Sequence, residues 1–333
     1  MGTFGGRRAV ARASALVAIP VALSVVLSAG VLTGCTRALD QAHSIQTKLG
    51  RINEVGDATV TTPSDDRAPA ITVSYTGVGS DRELARLLTA IDRVADEADY
   101  PPYRLHLGAA DSPGDTLVVD DTFIGSEAEP TVLTTWRRVT GALLGDVTYS
   151  YQPGNETISV ESGPAVAHDV GEASRVGYGF HDTTWTFRAE GTTFVVSGRI
   201  SPTDVVLFQA VQRSVSSESL PTPARTWRLE RRTDHVLLDL DVSLPGPVAP
   251  ERLTIARYGD DVGRLVQAAL GAVRAEGLPV WLRLHHHADP DDPSSPDDVF
   301  AYWVSGQQPV RGRDRLMRGW DQWLAALARS TGS

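Results

Sequence analysis

The stretch Arg225–Leu244, RTWRLERRTDHVLLDLDVSL, decides how this chain folds. Val236, Leu238, Leu240, Val242 and Leu244 occupy every second position, while His235, Asp239 and Asp241 fall between them. Side chains of a strand alternate between faces, so this pattern predicts a strand over 235–244 with one buried and one wet face. A partner strand over 225–232 precedes it across a turn too short for a parallel crossover, which makes the pair an antiparallel hairpin. Beyond it the period changes. Val262, Leu265, Val266, Ala269 and Val273 form an apolar stripe with helical spacing, which predicts a helix over 256–276 that covers the strands' apolar side.

The same order extends outward in both directions. Towards the N-terminus the periods predict a helix near 37–49, strands at 53–61 and 70–76, a helix at 80–98, and strands at 103–108 and 116–123. The stripe Leu84, Leu87, Leu88, Ile91 and Val94 marks the second helix. The order then resumes with a helix near 128–144 and strands at 146–151 and 157–161 turned by Pro153-Gly154-Asn155. A helix near 165–176 leads to strands at 183–189 and 192–200 turned at Glu190-Gly191. A third round holds a helix at 203–217, the quoted hairpin, the helix at 256–276, strands at 279–287 and 298–305, and a final helix near 313–329. The expected fold is therefore α+β: repeated helix-strand-strand units forming antiparallel sheets covered by helices on one face.

Residue identity supports repetition between the first and last rounds. Arg86-Leu87-Leu88-Thr89-Ala90, Arg104-Leu105-His106 and Ala110-Asp111 correspond to Arg264-Leu265-Val266-Gln267-Ala268, Arg283-Leu284-His285 and Ala288-Asp289. Proline-rich joints interrupt the pattern at 218–224 and 245–250. With the first as a boundary, the expectation is an α+β domain over 35–218 with two repeat units and a second over 225–333 with one.

The first 34 residues stand apart. Residues 1–14 hold Arg7, Arg8 and Arg12 and no acid, residues 15–32 carry no charge, and Leu32-Thr33-Gly34-Cys35 follows. This arrangement resembles the signal peptide and lipobox of bacterial lipoproteins. The resemblance implies cleavage before Cys35, a diacylglycerol on its thiol, an N-acyl chain such as palmitate on its amine, and a body anchored to the cell membrane on its extracytoplasmic face. An uncleaved span is the alternative, since 18 apolar residues lie at the lower edge of spanning length. Either way the body lies outside the cytoplasm. Cys35 is the chain's single cysteine, so acylation leaves no thiol for a disulfide, a zinc-thiolate site or a nucleophile. Lys48 is its single lysine, a skew towards arginine that resembles the codon usage of a GC-rich, actinobacterial genome.

Composition excludes several functions. The formal charge is −10, and because the three arginines of 1–34 have no accompanying acid, the remainder stands at −13. Such an excess repels nucleic acid and anionic headgroups. Lys48 follows neither a phosphate-loop glycine nor a Ser-x-x pattern, which removes phosphate-loop enzymes and Ser-x-x-Lys acyl enzymes. No Gly-x-Ser-x-Gly elbow or His-Glu-x-x-His helix is present. The partners this leaves are the membrane itself, an envelope protein or a small ligand, and the sequence leans away from an enzyme.

Candidate sites remain. In His285-His286-His287, period two puts His285 and His287 on one strand face roughly 7 Å apart, from which two imidazoles can reach one zinc or copper ion. Asp289 is the candidate third ligand, with His235 and Asp239 on a neighbouring strand as further candidates. The plain alternative is a solvated pair with His286 turned to the core beside Leu282 and Leu284. Tyr178, Phe180 and Trp185, around a glycine-rich turn, are candidates for stacking on a ligand ring, or else core. His168-Asp169 and His181-Asp182 invite an acid-base reading, although adjacent residues seldom face each other. The expectation as a whole is a membrane-anchored envelope lipoprotein that binds or scaffolds, with metal binding or metal-dependent catalysis at His285 and His287 as the alternative.

Lipidation is directly measurable. Intact-mass analysis of the cell-made protein should show residues 1–34 removed and Cys35 carrying diacylglycerol and an N-acyl chain; a retained leader or an unmodified thiol refutes the anchor.

Overall fold

The computed structural model describes residues 38–62, 64, 68–244, 248, 252–274, 277–287, 297–308 and 315–331. Residues 1–34, Cys35 and Asp289 lie outside the described residues. Helix α1 spans 38–49 and leads to β1 (Val55–Val60) and β2 (Ala70–Tyr75). Five more helix-hairpin steps follow: α2 (Asp81–Asp96), β3 (Arg104–Ala109), β4 (Thr116–Asp120); α3 (Glu129–Thr140), β5 (Asp146–Gln152), β6 (Asn155–Glu161); α4 (Val166–Val176), β7 (Thr183–Ala189), β8 (Thr192–Ser197); α5 (Pro202–Val215), β9 (Ala224–Arg231), β10 (Val236–Val242); and α6 (Ile255–Val273), β11 (Val280–His287), β12 (Asp297–Val304). Helix α7 (Arg315–Ser330) ends the series. No described helix is long and apolar enough to cross a membrane.

All twelve strands form one sheet in sequence order. This corrects the expectation of antiparallel sheets: the sheet is mixed. Within each hairpin the pairing is antiparallel, but β2–β3, β4–β5, β6–β7, β8–β9 and β10–β11 pair in parallel. The physical reason is the intervening helix. It returns the chain to the end where the previous strand began, so the next strand must run in the same direction. The alternation of helix with strand pair stands as read; the relation between successive hairpins does not.

One parity of residue runs unbroken across the sheet. Val73, Leu107, Leu117, Tyr149, Ile158, Trp185 and Val196 are successive cross-strand partners, and all are buried. The helices pack on this face. Phe208 of α5 sits 5.2 Å from the Phe194 ring and 5.6 Å from Trp227. Trp136 of α3 meets Tyr75 edge-on at 6.3 Å, and Trp320 of α7 meets Phe300 at 5.0 Å. The opposite parity is more polar: Thr72, His106, Ser150, Thr157 and Thr184 are at least partly exposed, although Val118 and Val195 on the same side are buried.

At the 218–224 joint, β8 still pairs with β9 from Thr192↔Trp227 to Val196↔Arg231. A buried ion pair fastens this step. Asp204, 2% exposed, closes a capping box with Ser201 at the start of α5. It also takes two hydrogen bonds from Arg231 of β9, at 2.6 and 2.9 Å. The same guanidinium donates to the carbonyls of Ser197 and Arg199, both at 3.1 Å. One arginine thus ties a helix start, a strand end and the next hairpin together.

Among the described residues the helix row outnumbers the hairpins by one. Ala42, Ile45 and Leu49 of α1 are buried, and Gln41 donates to the carbonyls of Ala98 and Asp99 just beyond α2. At the other end Trp320 donates to Leu253 at 2.8 Å and Arg274 donates to Ala328, which holds α7 against α6.

Removing one partner of a buried ion pair leaves the other uncompensated. Asp204→Ala should therefore lower unfolding free energy by about 3–5 kcal/mol, measured by urea denaturation. A loss within the range of ordinary surface substitutions, about 0.5 kcal/mol, contradicts this role.

Candidate functional site

The face of β8–β11 turned away from the described helices gathers a dense polar cluster. Strand parity puts Arg228 and Glu230 of β9, Asp239 and Asp241 of β10, and Trp281, Arg283, His285 and His287 of β11 on this face. The register then sets them in rows. Arg228 lies opposite Asp239, and Asp239 opposite Arg283. Glu230 lies opposite Leu237, which lies opposite Trp281. The first row continues through Thr193 and Arg188 to Glu161, where Arg188 donates to Glu161 at 2.8 Å. Opposite charges on directly facing residues favour this register.

Most of the charges are matched locally. Asp241, whose side chain is 7% exposed, accepts from Arg225 Nε at 3.0 Å and Nη2 at 2.5 Å through one oxygen, Oδ2. Glu230 is clamped between Arg232, Nε at 2.6 Å, and Arg228, Nη2 at 3.2 Å. Asp239 Oδ1 lies 3.8 Å from both Arg283 Nε and His285 Nε2, while His287 Nε2 lies 3.9 Å from Asp241 Oδ2. The Oδ1 atoms of Asp239 and Asp241 are buried and accept no hydrogen bond among the described residues. Trp281 stacks on His235, with ring centroids 4.2 Å apart and planes 14° apart.

Two adjoining cavities open on this face. One of about 290 Å³ lies between the β7–β8 turn, Thr226, Arg228, Asp239, Asp241 and the two histidines. The other, of about 390 Å³, is lined by Arg232, His235, Leu237, Trp281 and Arg283, and shares Arg228 and Asp239 with the first. The turn that walls the first requires glycine. Gly191 has φ +68°, and a Cβ there would lie 2.9 Å from the Arg225 carbonyl oxygen. Its own carbonyl accepts from Trp227 at 2.8 Å, which draws the turn onto β9.

A third cavity, of about 620 Å³, sits at the carboxyl ends of β2 and β3 beside Tyr75, Asp111, Asp115 and Arg137. Its arginine is committed elsewhere, to Asp81 at 2.8 Å and the Gly79 carbonyl at 2.9 Å.

The structure separates the sequence candidates. His285 and His287 share the uncovered face, while His286 faces the helices, 7% exposed. Each outward histidine faces a carboxylate of β10, but no three described His, Cys, Asp or Glu side chains are placed to hold one metal ion. Asp289 lies outside the described residues. Trp185 is fully buried and stacks on Phe187 at 5.8 Å and 2°, so it offers no ring to a ligand. Its period-two position is core. Tyr178 instead donates to buried Glu156 at 2.6 Å, beside Tyr149 and Thr183, which bond the same carboxylate. Burial first, then those bonds to Glu156, raise the pKa of both tyrosines. Phe180 remains 58% exposed, its edge against Tyr178. Asp169 accepts the backbone N–H groups of Leu144 and Gly145 at 2.8 and 3.1 Å, which is a loop-holding role. Arg225, Arg228, Glu230 and Trp281 belong to the site but were not singled out from the sequence, although the alternation around Asp239 marks their face.

No protein-family profile, curated protein or solved structure matches this chain. The site must therefore be read from its own geometry.

His286 makes stability pH-dependent. Burial holds its pKa below the ordinary imidazole value, partly offset by the Val242 carbonyl. The unfolded chain therefore binds the proton more readily. Its stabilising contribution is intact above about pH 6.5 and declines as pH falls from there through the folded value. His286→Leu should show a smaller drop in melting temperature between about pH 7.5 and 5 than the unaltered protein; equal drops would exclude this group as a source.

Proposed function

We propose that the chain is a lipid-anchored, non-enzymatic binding module of the cell envelope, held at the extracytoplasmic face of the cell membrane by acylated Cys35. Its uncovered sheet face over β8–β11 receives the ligand. The observation that carries this reading is the pair of adjoining cavities on that face, walled by charges matched partner to partner. Side chains fixed on neighbouring strands by mutual ion pairs are ordered before a ligand arrives, which lowers the entropy cost of binding. The six helix-hairpin steps are read as repeats of one unit, with the site confined to the last steps, where the open parity becomes ionic. The net charge of −13 beyond residue 34 speaks against nucleic acid as the ligand.

A second reading, zinc or copper held by His285 and His287, draws on the two imidazole-carboxylate pairs at 3.8 and 3.9 Å. Metal analysis of the purified full chain decides it: stoichiometric metal lost in His285→Ala/His287→Ala supports that reading, and none disposes of it.

For the principal reading, Cys35→Ala should abolish lipid attachment and leave residues 1–34 on the chain, read by intact mass, whereas an unchanged mass pattern refutes the anchor. Unaltered protein should also show a melting temperature raised by envelope-derived small ligands, an increment of about 2.7 kcal/mol at a hundred times Kd, that Arg228→Ala removes. An increment untouched by Arg228→Ala moves the site off this face.

A further inference from the structure

We infer that the ligand of this groove is a neutral saccharide, an inference that rests on the binding-module reading and gives it a chemical class.

Two carboxylate oxygens of the groove lack a donor among the described residues. Asp239 and Asp241 line the smaller cavity, and the Oδ1 of each is buried and accepts no hydrogen bond among the described residues. A buried acceptor without a donor is unfavourable, and both side chains border a cavity from which a ligand can supply one after a small side-chain adjustment. The Asp241 carboxylate is more than nine-tenths buried, so its orientation is set by β10 and by Arg225 and not by solvent. The site thus asks for hydrogen-bond donors.

The charge balance decides what kind of donor. Asp241 is neutralised by Arg225, Glu230 by Arg228 and Arg232, and Asp239 faces Arg283. A polyamine would meet four guanidinium groups, and a phosphate or carboxylate would meet three carboxylates. Hydroxyl groups donate to the carboxylate oxygens and accept from the arginine N–H groups with no net charge to accommodate. Thr193 and Thr226, in the same cavity, add donors and acceptors of the same kind.

The adjoining cavity supplies the apolar half. Trp281 and Leu237 line it, and the indole is braced by His235 at 4.2 Å. A rigid aromatic surface with polar groups at its margin suits a molecule with a C–H face and a hydroxyl rim. Because the cavities share Arg228 and Asp239, adjacent rings of one short chain would occupy them in turn.

The test uses the full chain in a detergent without a sugar headgroup. Chitotetraose, cellotetraose and maltotetraose are titrated, with spermidine and glucose 6-phosphate as charged probes, and binding is read by calorimetry and tryptophan emission. At least one neutral tetrasaccharide should bind with a change in emission. Asp239→Asn and Trp281→Ala, each checked for an unaltered melting curve, should each weaken it at least about tenfold. His106→Ala, on the same face at β3, should leave it unchanged. Absence of binding by all three tetrasaccharides, or affinity indifferent to both groove variants, overturns the inference. Spermidine or glucose 6-phosphate binding in their stead, and lost in Arg228→Ala or Asp239→Asn, overturns the saccharide class while the binding module stands. Silence from all five probes, together with an unacylated Cys35, overturns both.

Discussion

Side chains alternate along a strand, so twelve strands bonded in sequence can share one buried face only if every one enters with the same parity. A slip of one residue anywhere between Val73 and Val196 would turn an aromatic or branched core residue into solvent and bring threonine or serine under the helices. The register is therefore enforced at each joint, and the hairpins and crossover helices are its instruments. Hairpins fix parity locally through their turns. Between hairpins the parity is held by packing, as where Phe208 lies between Phe194 and Trp227, and by the Asp204–Arg231 pair.

That constraint also creates the functional surface. With the described helices on one parity, the other carries no described helix. Over the first eight strands it is mainly threonine, serine and small residues. Over β9–β11 it becomes ionic, with guanidinium groups facing carboxylates in register. A body with a large negative excess thereby carries one region where charge is locally balanced. Buried but compensated groups of this kind hold their positions at little net electrostatic gain, and their value lies in fixed orientation more than in stability.

The alternation in Val236–Leu244 and the stripes of the helices made helix and strand periods legible, because both signals are local. The placement of His285 and His287 on one face and His286 on the other was legible for the same reason. What sequence could not supply was the relation between hairpins: parallel pairing of β10 with β11 is a contact across the whole of α6. Trp185 shows a second limit. Its neighbours Tyr178 and Phe180 surround a glycine-rich turn, which suggests a ligand surface, but the same period-two spacing that makes it a strand residue also makes it core. Arg225 escaped notice because its partner Asp241 is sixteen residues away on the next strand, and a carboxylate on a wet face gives no sign of what neutralises it.

The surplus helix limits what the molecule can build. In a chain of such steps, the segment before a hairpin's first strand and the segment after another's second strand occupy the same crossover position. Helix α1 fills it at one end and α7 at the other. Two copies aligned with β12 against β1 would bring two helices to a place that holds one. Pairing of the two sheet edges between copies would therefore require one of these terminal helices to move aside.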